Sequence, residues 1–247
     1  MRTSRRGIIT TITRSTLMRD HYLEVFQVCD STFPIGTFNH SFGMENYLSR
    51  RKIRKAPQFA EWIRNYYRSQ FRYGEGLLVI LCYRAMDAGE PEKLLTYDEI
   101  MHASTVARET REGTVLIASR MLSLIRNMYG ETVPYLSEYE GSIKEKKAYG
   151  NPAIVFSLFA HAEGIPCDEA FRMYGYSVAS TLVQNAVRSV PLGQNAGQLI
   201  LHDLLGEIGD LYEETKDMDE DMLGTGIPGL EMAQILHETQ NARLFMS

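Results

Sequence analysis

The sequence of 247 residues has few cysteines, and their spacing excludes two common ways of stabilising a protein. Cys29, Cys82 and Cys167 are an odd number of thiols, lie far apart and include no CxxC pair. Such a set does not suit a disulfide framework or a structural zinc site. We therefore expect the chain to work in a reducing compartment, the cytoplasm.

Long apolar runs and net positive charge are absent as well. No run approaches the roughly 20 apolar residues that a membrane span requires. The formal net charge is −5, whereas a surface that binds nucleic acid needs a basic field to attract phosphates. The sequence thus predicts neither a membrane protein nor a nucleic-acid-binding protein. With 44% hydrophobic residues, it is long enough to bury a full core.

The motifs of nucleotide hydrolysis and of zinc catalysis are also missing. Residues 224–229, GTGIPG, have the glycines of a phosphate loop but neither the lysine nor the hydroxyl that must follow. HETQN, which begins at His237, lacks the second histidine that a zinc site needs one helical turn later. The six histidines, at positions 21, 40, 102, 161, 202 and 237, include no pair at i, i+4. We expect no nucleotide hydrolysis by the chain alone and no bound cofactor.

What the sequence has almost throughout is a helical period. In residues 59–71 and 118–129, apolar side chains recur at steps of three and four, as one buried face of a helix does. Alternating strand segments and Asn-Gly hairpin turns are nearly absent. The sequence therefore predicts an all-α protein, a single-domain bundle of roughly ten helices over residues 20–247.

Several helix ends can be predicted from single residues. Asn151 is suited to cap a helix whose first position is Pro152, and Gly164 is suited to end it. Because this helix is apolar almost all round, we expect it to run through the middle of the bundle. Gly130 is expected to stop the preceding long helix, and Asp168 is expected to cap the helix that follows.

Three stretches fall outside this pattern. Residues 1–19 carry five arginines and no acid, which is typical of a transit peptide, of a mis-assigned start before Met18 or of a disordered arm, and we expect an unstructured, dispensable arm. Residues 213–229 are acidic and then glycine-rich, which indicates an exposed connector. Residues 230–247 resume a helical period and end in the apolar tip Leu244-Phe245-Met246. Such a tip is either tucked back on its own domain or ordered by a partner.

The densest group of polar residues is CDSTFPIGTFNHSFGMENYL, residues 29–48. Asp30 and Ser31 can accept hydrogen bonds from the backbone amides that follow them, and Pro34 and Gly36 favour a turn. The stretch reads as a structured loop that leads into a helix. Whether its polar groups serve a partner surface or only the fold stays open at this point.

The same stretch predicts a helix from about His40, capped by Thr37 or Asn39. Gly43 would then lie within the helix, where glycine costs about 1 kcal/mol relative to alanine, so we expect a neighbour to approach the backbone there. His40 and Ser41 would point in different directions as adjacent helical residues. They are therefore badly placed to form a pair of nucleophile and base.

One alternative from the residues alone is a helical metal-dependent enzyme. It requires His40, Glu45, His161 and also Glu163 to converge on one ion, at about 2.0–2.2 Å for imidazole and carboxylate ligands. The competing interpretation of His161 is a hydrogen-bonded core residue, because buried polar groups find internal partners. Cys29 has no neighbouring cation to lower its pKa, and we interpret it as a small apolar residue.

Three polar motifs follow one another along the chain, and together they resemble a known family. They are DSTFPIGTFNHSFGMENYL, QNAVRSVPLGQNAGQ at 184–198 and the C-terminal PGLEMAQILHETQNARLFMS. In this order and at these distances they resemble the UreF-type urease accessory proteins, and TRE at 110 and NPAIVFSLFAHAEGI at 151 agree with the family. The resemblance runs from about His21 to Ser247. Asn39 and Asn195 stand where other residues are commoner, and the arginine-rich arm has no family counterpart.

The resemblance implies an all-helical protein with no catalytic activity of its own. Proteins similar to this chain act in the insertion of nickel into urease, bind the accessory protein UreD (also called UreH) and the GTPase UreG, and commonly form a homodimer. Their complex docks on the urease apoprotein, where the UreF-type subunit regulates GTP hydrolysis by UreG and offers a passage for nickel. A chain without a phosphate loop, a metal triad or a nucleophile–base pair agrees with such a scaffold.

The resemblance also implies which residues meet partners. The segment from Asp30 to Glu45 matches a family element near the partner surface, and Arg243 matches an arginine implicated in shaping the site that recruits UreG. The tail that contains Arg243 becomes ordered in this family when UreD binds. For Arg188, Gln194 and Gln198, a role in helix packing and capping stays open beside a role at a surface. The predicted partner-binding residues are Asp30, Ser31, His40, Ser41, Glu45, Arg188, Gln194, Glu231, His237, Arg243 and Phe245.

Overall fold

The computed structural model describes residues 20–246, and the arm predicted for residues 1–19 lies outside them. The described chain contains helices and connecting segments but no strand. The α-helices are α1 His21–Cys29, α2 Met44–Ser49, α3 Ala56–Tyr66, α4 Leu77–Asp87, α5 Lys93–Ser104, α6 Arg108–Tyr129, α7 Leu136–Lys144, α8 Pro152–Ala162, α9 Cys167–Ser189, α10 Gln194–Thr215 and α11 Pro228–His237. The prediction of a single all-α domain with roughly ten helices is confirmed. None of the helices within residues 20–246 is long and apolar enough to cross a membrane.

Helix α8 lies at the centre of the bundle, as its composition predicts. It packs against α4, α6 and α9, and its residues from Pro152 to Ala160 are all buried. The Asn151 side chain accepts a hydrogen bond from the backbone N–H of Ala153 at 2.9 Å, so the predicted cap is confirmed. Gly164 follows the end of the helix with a φ of 73°. These local signals position the helix, and its apolar surface holds it inside.

The other two predicted helix ends differ in outcome. Helix α6 ends at Tyr129, and Gly130 follows with a φ of 63°, as predicted. The prediction that Asp168 caps the next helix is wrong, because α9 already begins at Cys167 and Asp168 lies in its first turn. An acidic residue is favourable in the first turn as well as at the cap, since both positions lie near the positive end of the helix dipole.

The loop that leads into α2 does not form the helix predicted from His40. Residues 37–39 make a single 3₁₀ turn, and α2 begins only at Met44. Phe42 and Gly43 have left-handed backbone conformations, with φ values of 51° and 92°, which interrupt a helix. Gly43 therefore precedes α2 and does not lie within it. The expected close neighbour is found, since a Cβ on Gly43 would lie 3.0 Å from the Gln234 side chain of α11.

Helices α3 and α4 are joined by a π-helical segment, Tyr67–Gly76, that contains the non-helical residue Gly74.

Helix α10 continues to Thr215, inside the predicted connector of residues 213–229, and α11 begins at the end of that connector. Helix α11 packs against α2 and α6. This packing places the C-terminal segment beside the polar loop of residues 29–48.

Candidate functional site

Within the polar loop of residues 29–48, residues 37–44 are fixed on helices α6 and α9. The His40 ring is buried against Gly113 of α6, where an added Cβ would lie 2.7 Å from the ring. Asn185 Nδ2 donates a hydrogen bond to the His40 carbonyl at 2.9 Å, and Arg188 Nη1 donates to the Phe38 carbonyl at 3.0 Å. Burial lowers the pKa of His40, and the positive charge of Arg120 lowers it further. These contacts hold the backbone that leads to Glu45.

Glu45 lies in the first turn of α2 and binds the C-terminal tail. Its Oε1 accepts a hydrogen bond from the backbone N–H of Leu244 at 2.5 Å, and its Oε2 accepts one from Phe245 N–H at 3.0 Å. The Ser41 hydroxyl accepts from the Glu45 backbone N–H at 3.3 Å and so helps to cap α2. Met246 N–H donates to the Asn39 carbonyl at 2.7 Å. The chain's own C-terminus therefore runs along the loop.

A second carboxylate, Glu109 at the start of α6, extends this arrangement. The buried His237 ring bridges the two acids, with Nε2 at 2.9 Å from Glu45 Oε2 and Nδ1 at 3.4 Å from Glu109 Oε2. Arg243 Nη1 donates to both Glu109 carboxylate oxygens, at 2.8 and 2.9 Å. Burial alone would raise the pKa of Glu109, but the hydrogen bonds and charges of Arg243 and His237 outweigh it and lower that pKa. We call Glu45, Glu109, His237 and Arg243 the Glu45 cluster.

The apolar tip of the chain is tucked back on its own domain, with one side chain inside and two outside. Phe245 is 4% exposed, and the Arg188 guanidinium lies 5.2 Å from the centre of its ring. Leu244 and Met246 are 55% and 58% exposed. On α11, Met232 and Ile235 are exposed as well. The tail and α11 thus expose several apolar side chains, whereas the polar side chains of Glu45 and His237 beside them are buried.

The structure brings together most, but not all, of the residues predicted to meet partners. Asp30 accepts hydrogen bonds from the N–H and hydroxyl of Thr32, which lower its pKa, and Ser31 beside it is exposed. Gln194 is exposed at the start of α10, and Glu231 is partly buried on α11. None of these four is bonded to the Glu45 cluster. The predicted residues that belong to the loop, its anchors or the tail contact are His40, Ser41, Glu45, Arg188, His237, Arg243 and Phe245.

Two residues of the site were missed by the sequence analysis. Glu109 directly precedes the TRE motif, yet an acid in the first turn of a helix is common and does not by itself indicate a site. Asn185 belongs to the QNAVRSVPLGQNAGQ motif, but its bond to the His40 carbonyl spans 145 positions of the chain. The available signals were the position of Glu109 directly before one matching motif and the position of Asn185 within another.

The residues of the proposed metal-dependent enzyme do not converge. His161 Nε2 lies 2.9 Å from Asp87 Oδ1, and Glu163 Oε2 lies 2.6 Å from His21 Nδ1, whereas Glu45 binds His237 and the tail. His161 is hydrogen-bonded as expected, but it is partly exposed and not a core residue. In the part of the chain that the structure describes, no group of three potential ligands is arranged to hold a metal ion.

Cys29 is buried in the apolar core, which agrees with its interpretation as a small apolar residue. Burial raises the pKa of its thiol to about 12. A thiol with such a pKa carries almost no thiolate at neutral pH, so it is a poor nucleophile.

The fold and the site together define an all-helical protein whose central polar cluster binds its own C-terminal segment. The family described as UreF matches residues 53–205. Proteins named urease accessory protein UreF from Streptococcus salivarius (strain 57.I) and Streptococcus thermophilus (strain ATCC BAA-491 / LMD-9) are each 49% identical to this chain over 226 residues, which is 92% of this chain and 94% of theirs. A protein of the same name from Bacillus sp. (strain TB-90) is 43% identical over 225 residues, 91% of this chain and 98% of its own. The chain belongs to the UreF family of urease accessory proteins.

Proposed function

We propose that this chain is a non-catalytic scaffold in the cytoplasm that regulates a UreG-type GTPase during the insertion of nickel into urease. In this proposal it forms a homodimer, binds a UreD-type protein and the GTPase, and docks with them on the urease apoprotein. Membership of the UreF family supports a role in urease maturation. The observation that carries the scaffold role is the binding of the C-terminal tail by the Glu45 cluster.

The polar groups of the Glu45 cluster are used to shape the protein's own surface. Glu45 accepts two backbone N–H groups and contacts the His237 ring, and Glu109 accepts from Arg243. A general base or metal ligand would need a lone pair directed at a substrate or an ion. The arrangement instead fixes the path of the tail, which is what a docking element requires.

The surface produced in this way suits a protein partner. Leu244, Met246, Met232 and Ile235 present apolar side chains on the tail and on α11, and exposed apolar groups with a polar surround are typical of interaction sites. Arg243 is 36% exposed while it binds Glu109. Its guanidinium can therefore contribute both to the tail conformation and to contact with a partner.

The test is recruitment of the GTPase by a complex of this chain with a UreD-type protein, measured by pull-down and followed by size measurement. Arg243→Ala should weaken GTPase recruitment, on the order of tenfold in Kd, and leave the helical content by circular dichroism unchanged. The matched control is Arg68→Ala, because Arg68 forms an exposed ion pair with Glu207 on α10 and has no contact with the tail.

Recruitment at wild-type strength by Arg243→Ala would contradict the role of the tail. GTP hydrolysis by the purified chain alone would contradict the non-catalytic role. Normal urease maturation in cells that lack the chain would contradict the proposed function as a whole.

A further inference from the structure

The connection between α2 and α3 carries a dense block of positive charge. Residues 50–55, which we call the basic loop, have the sequence RRKIRK. Its cationic side chains are all exposed, and they are Arg50, Arg51, Lys52, Arg54 and Lys55. None of them forms an ion pair with a carboxylate of residues 20–246. Blocks of like charge of this kind are typical of segments that interact with other molecules.

The rest of the chain is acidic, which sets the basic loop apart. Of the 26 lysines and arginines, five lie in residues 1–19 and five in the basic loop, which leaves 16 against 31 acidic residues. Other cations are paired, as Arg126 and Lys144 are with Glu140. A long polyanion such as nucleic acid would meet this acidic surface beyond the loop and be repelled by it. A short acidic segment of a protein would contact the loop alone.

The backbone of the basic loop is fixed by local hydrogen bonds and by one buried side chain. Lys52 N–H donates to the Tyr47 carbonyl at 2.8 Å, and Arg54 Nε donates to the Arg51 carbonyl at 2.9 Å. Between the cations, Ile53 is 4% exposed and packs in the core. The like charges are therefore held close together against their mutual repulsion, which a ligand of opposite charge would relieve. Because the backbone is already ordered, such a ligand would bind with little further loss of conformational entropy.

The basic loop lies close to the tail and α11. Glu45 binds the tail from the first turn of α2, and the loop directly follows the last turn of the same helix. Helix α2 is only six residues long, so its ends are about 9 Å apart along the axis. Helix α11 packs against α2, and a Cβ on Gly229 would lie 3.7 Å from the Tyr47 hydroxyl. An interface of standard size covers about 800 Å² on each partner, which is wide enough to include both the tail and the loop.

We propose that the basic loop binds an acidic segment of the UreD-type protein, at the edge of an interface centred on the tail and α11. The inference rests on the proposed function, which supplies this partner. Carboxylates of the partner pair with the exposed cations of the loop. Charge pairs at the rim of an interface mainly accelerate association and make it dependent on salt, and they add less to the affinity. The loop therefore guides the partner to the tail and fixes its orientation.

The test is the association rate constant of the full chain with an immobilised UreD-type protein, measured by surface plasmon resonance between about 50 and 500 mM NaCl. The wild-type rate should fall steeply as the salt concentration rises. The double variant Arg51→Glu with Lys52→Glu should associate about tenfold more slowly at the lowest salt concentration and lose most of the salt dependence. The matched control is Lys146→Glu with Lys147→Glu, which should behave as the wild type. Both pairs are exposed, and Arg51 and Lys146 have similar left-handed conformations, with φ values of 56° and 60°.

The possible failures are distinguishable. A wild-type rate that does not respond to salt, or equal rates for the two double variants, would overturn the role of the basic loop and leave the proposed function standing. The salt response of the wild type does not depend on the folding of any variant. No binding of the wild type to the UreD-type protein would contradict the proposed function itself, and the inference with it. A DNA duplex of about 20 base pairs should not bind at about 150 mM NaCl, and duplex binding that the loop variant loses would assign the loop to nucleic acid instead.

Discussion

Helix α8 and the C-terminal segment of residues 228–246 are both packed on the bundle, but they are held by different forces. In α8, nine successive residues are buried, and the contacts are spread over α4, α6 and α9. Beyond α11, the tail buries one large side chain, Phe245, and two of its backbone N–H groups donate to the carboxylate of Glu45. Contacts that are spread over many residues fail only when the domain unfolds. Contacts that converge on one carboxylate can be removed by one substitution.

The two regions therefore differ in how their stability can be changed. Apolar burial contributes roughly 25 cal/mol per Å² and is distributed over the whole surface of α8. A hydrogen bond to a charged group contributes about 1.5–3 kcal/mol and is localised. We expect α8 to exchange its amides only by global unfolding and the tail to open independently of the rest.

The largest effect is expected from a cavity in the central helix. Phe159 of α8 is fully buried, and its ring centre lies 4.6 Å from that of Tyr129. Phe159→Ala should lower the free energy of unfolding by about 3–5 kcal/mol, because the transfer free energy and the packing around the ring are both lost. Urea denaturation followed by circular dichroism measures this. Leu199→Ala, at an exposed position of α10, is the control and should change the free energy by less than about 0.5 kcal/mol. Equal values for the two variants would contradict the central role of α8.

A smaller and local effect is expected at the tail. Glu45→Gln replaces one acceptor oxygen by an amide group that cannot accept the tail N–H, so the tail should open more easily by about 1.5–3 kcal/mol. Hydrogen exchange at the Leu244 and Phe245 amides should become faster, and the urea midpoint of the whole domain should stay unchanged. Glu61→Gln, at an exposed position of α3, is the matched control. Unchanged protection of both tail amides in Glu45→Gln would show that the tail is not held by this carboxylate.

The smallest effect is expected from acidification of the tail contact. The pKa of Glu109 is lowered in the folded chain, so its contribution to tail binding is present above the ordinary glutamate value and is lost as the pH falls through the lowered one. Protection of the Phe245 amide should therefore decrease below about pH 4. In Arg243→Ala, the decrease should be smaller, because one cause of the lowered pKa is removed and the bound and open states of the tail then differ less in proton binding. The same pH profile in both proteins would contradict the coupling of Arg243 to Glu109.

Much of the fold could be predicted from the sequence because the signals are local. Asn151 and Pro152 begin α8, and Gly130 follows α6, through contacts within a few residues of each helix end. The start of α2 could not be predicted in this way. The left-handed pair Phe42 and Gly43 lies against α11, where Gln234 Nε2 donates to the Phe42 carbonyl at 3.4 Å. That contact joins residues 192 positions apart, so no sequence window contains it.

Contacts between residues far apart in the sequence also limit what could be predicted of the site. The motifs indicated Glu45, His237 and Arg243 one by one, but no spacing in the sequence indicates that Glu45 accepts the N–H groups of residues 199 and 200 positions away.

The sequence by itself determined that the chain is all-helical, that its most apolar helix is central, and which motifs carry the family resemblance. These properties follow from the period of apolar residues and from capping groups, which act over one or two turns of the chain. Only the tertiary structure decided that the tail folds back on Glu45 and that Glu109 joins His237 and Arg243 in the same cluster. Both results depend on the desolvation and pairing of charges, and these are set by neighbours that come from remote parts of the chain.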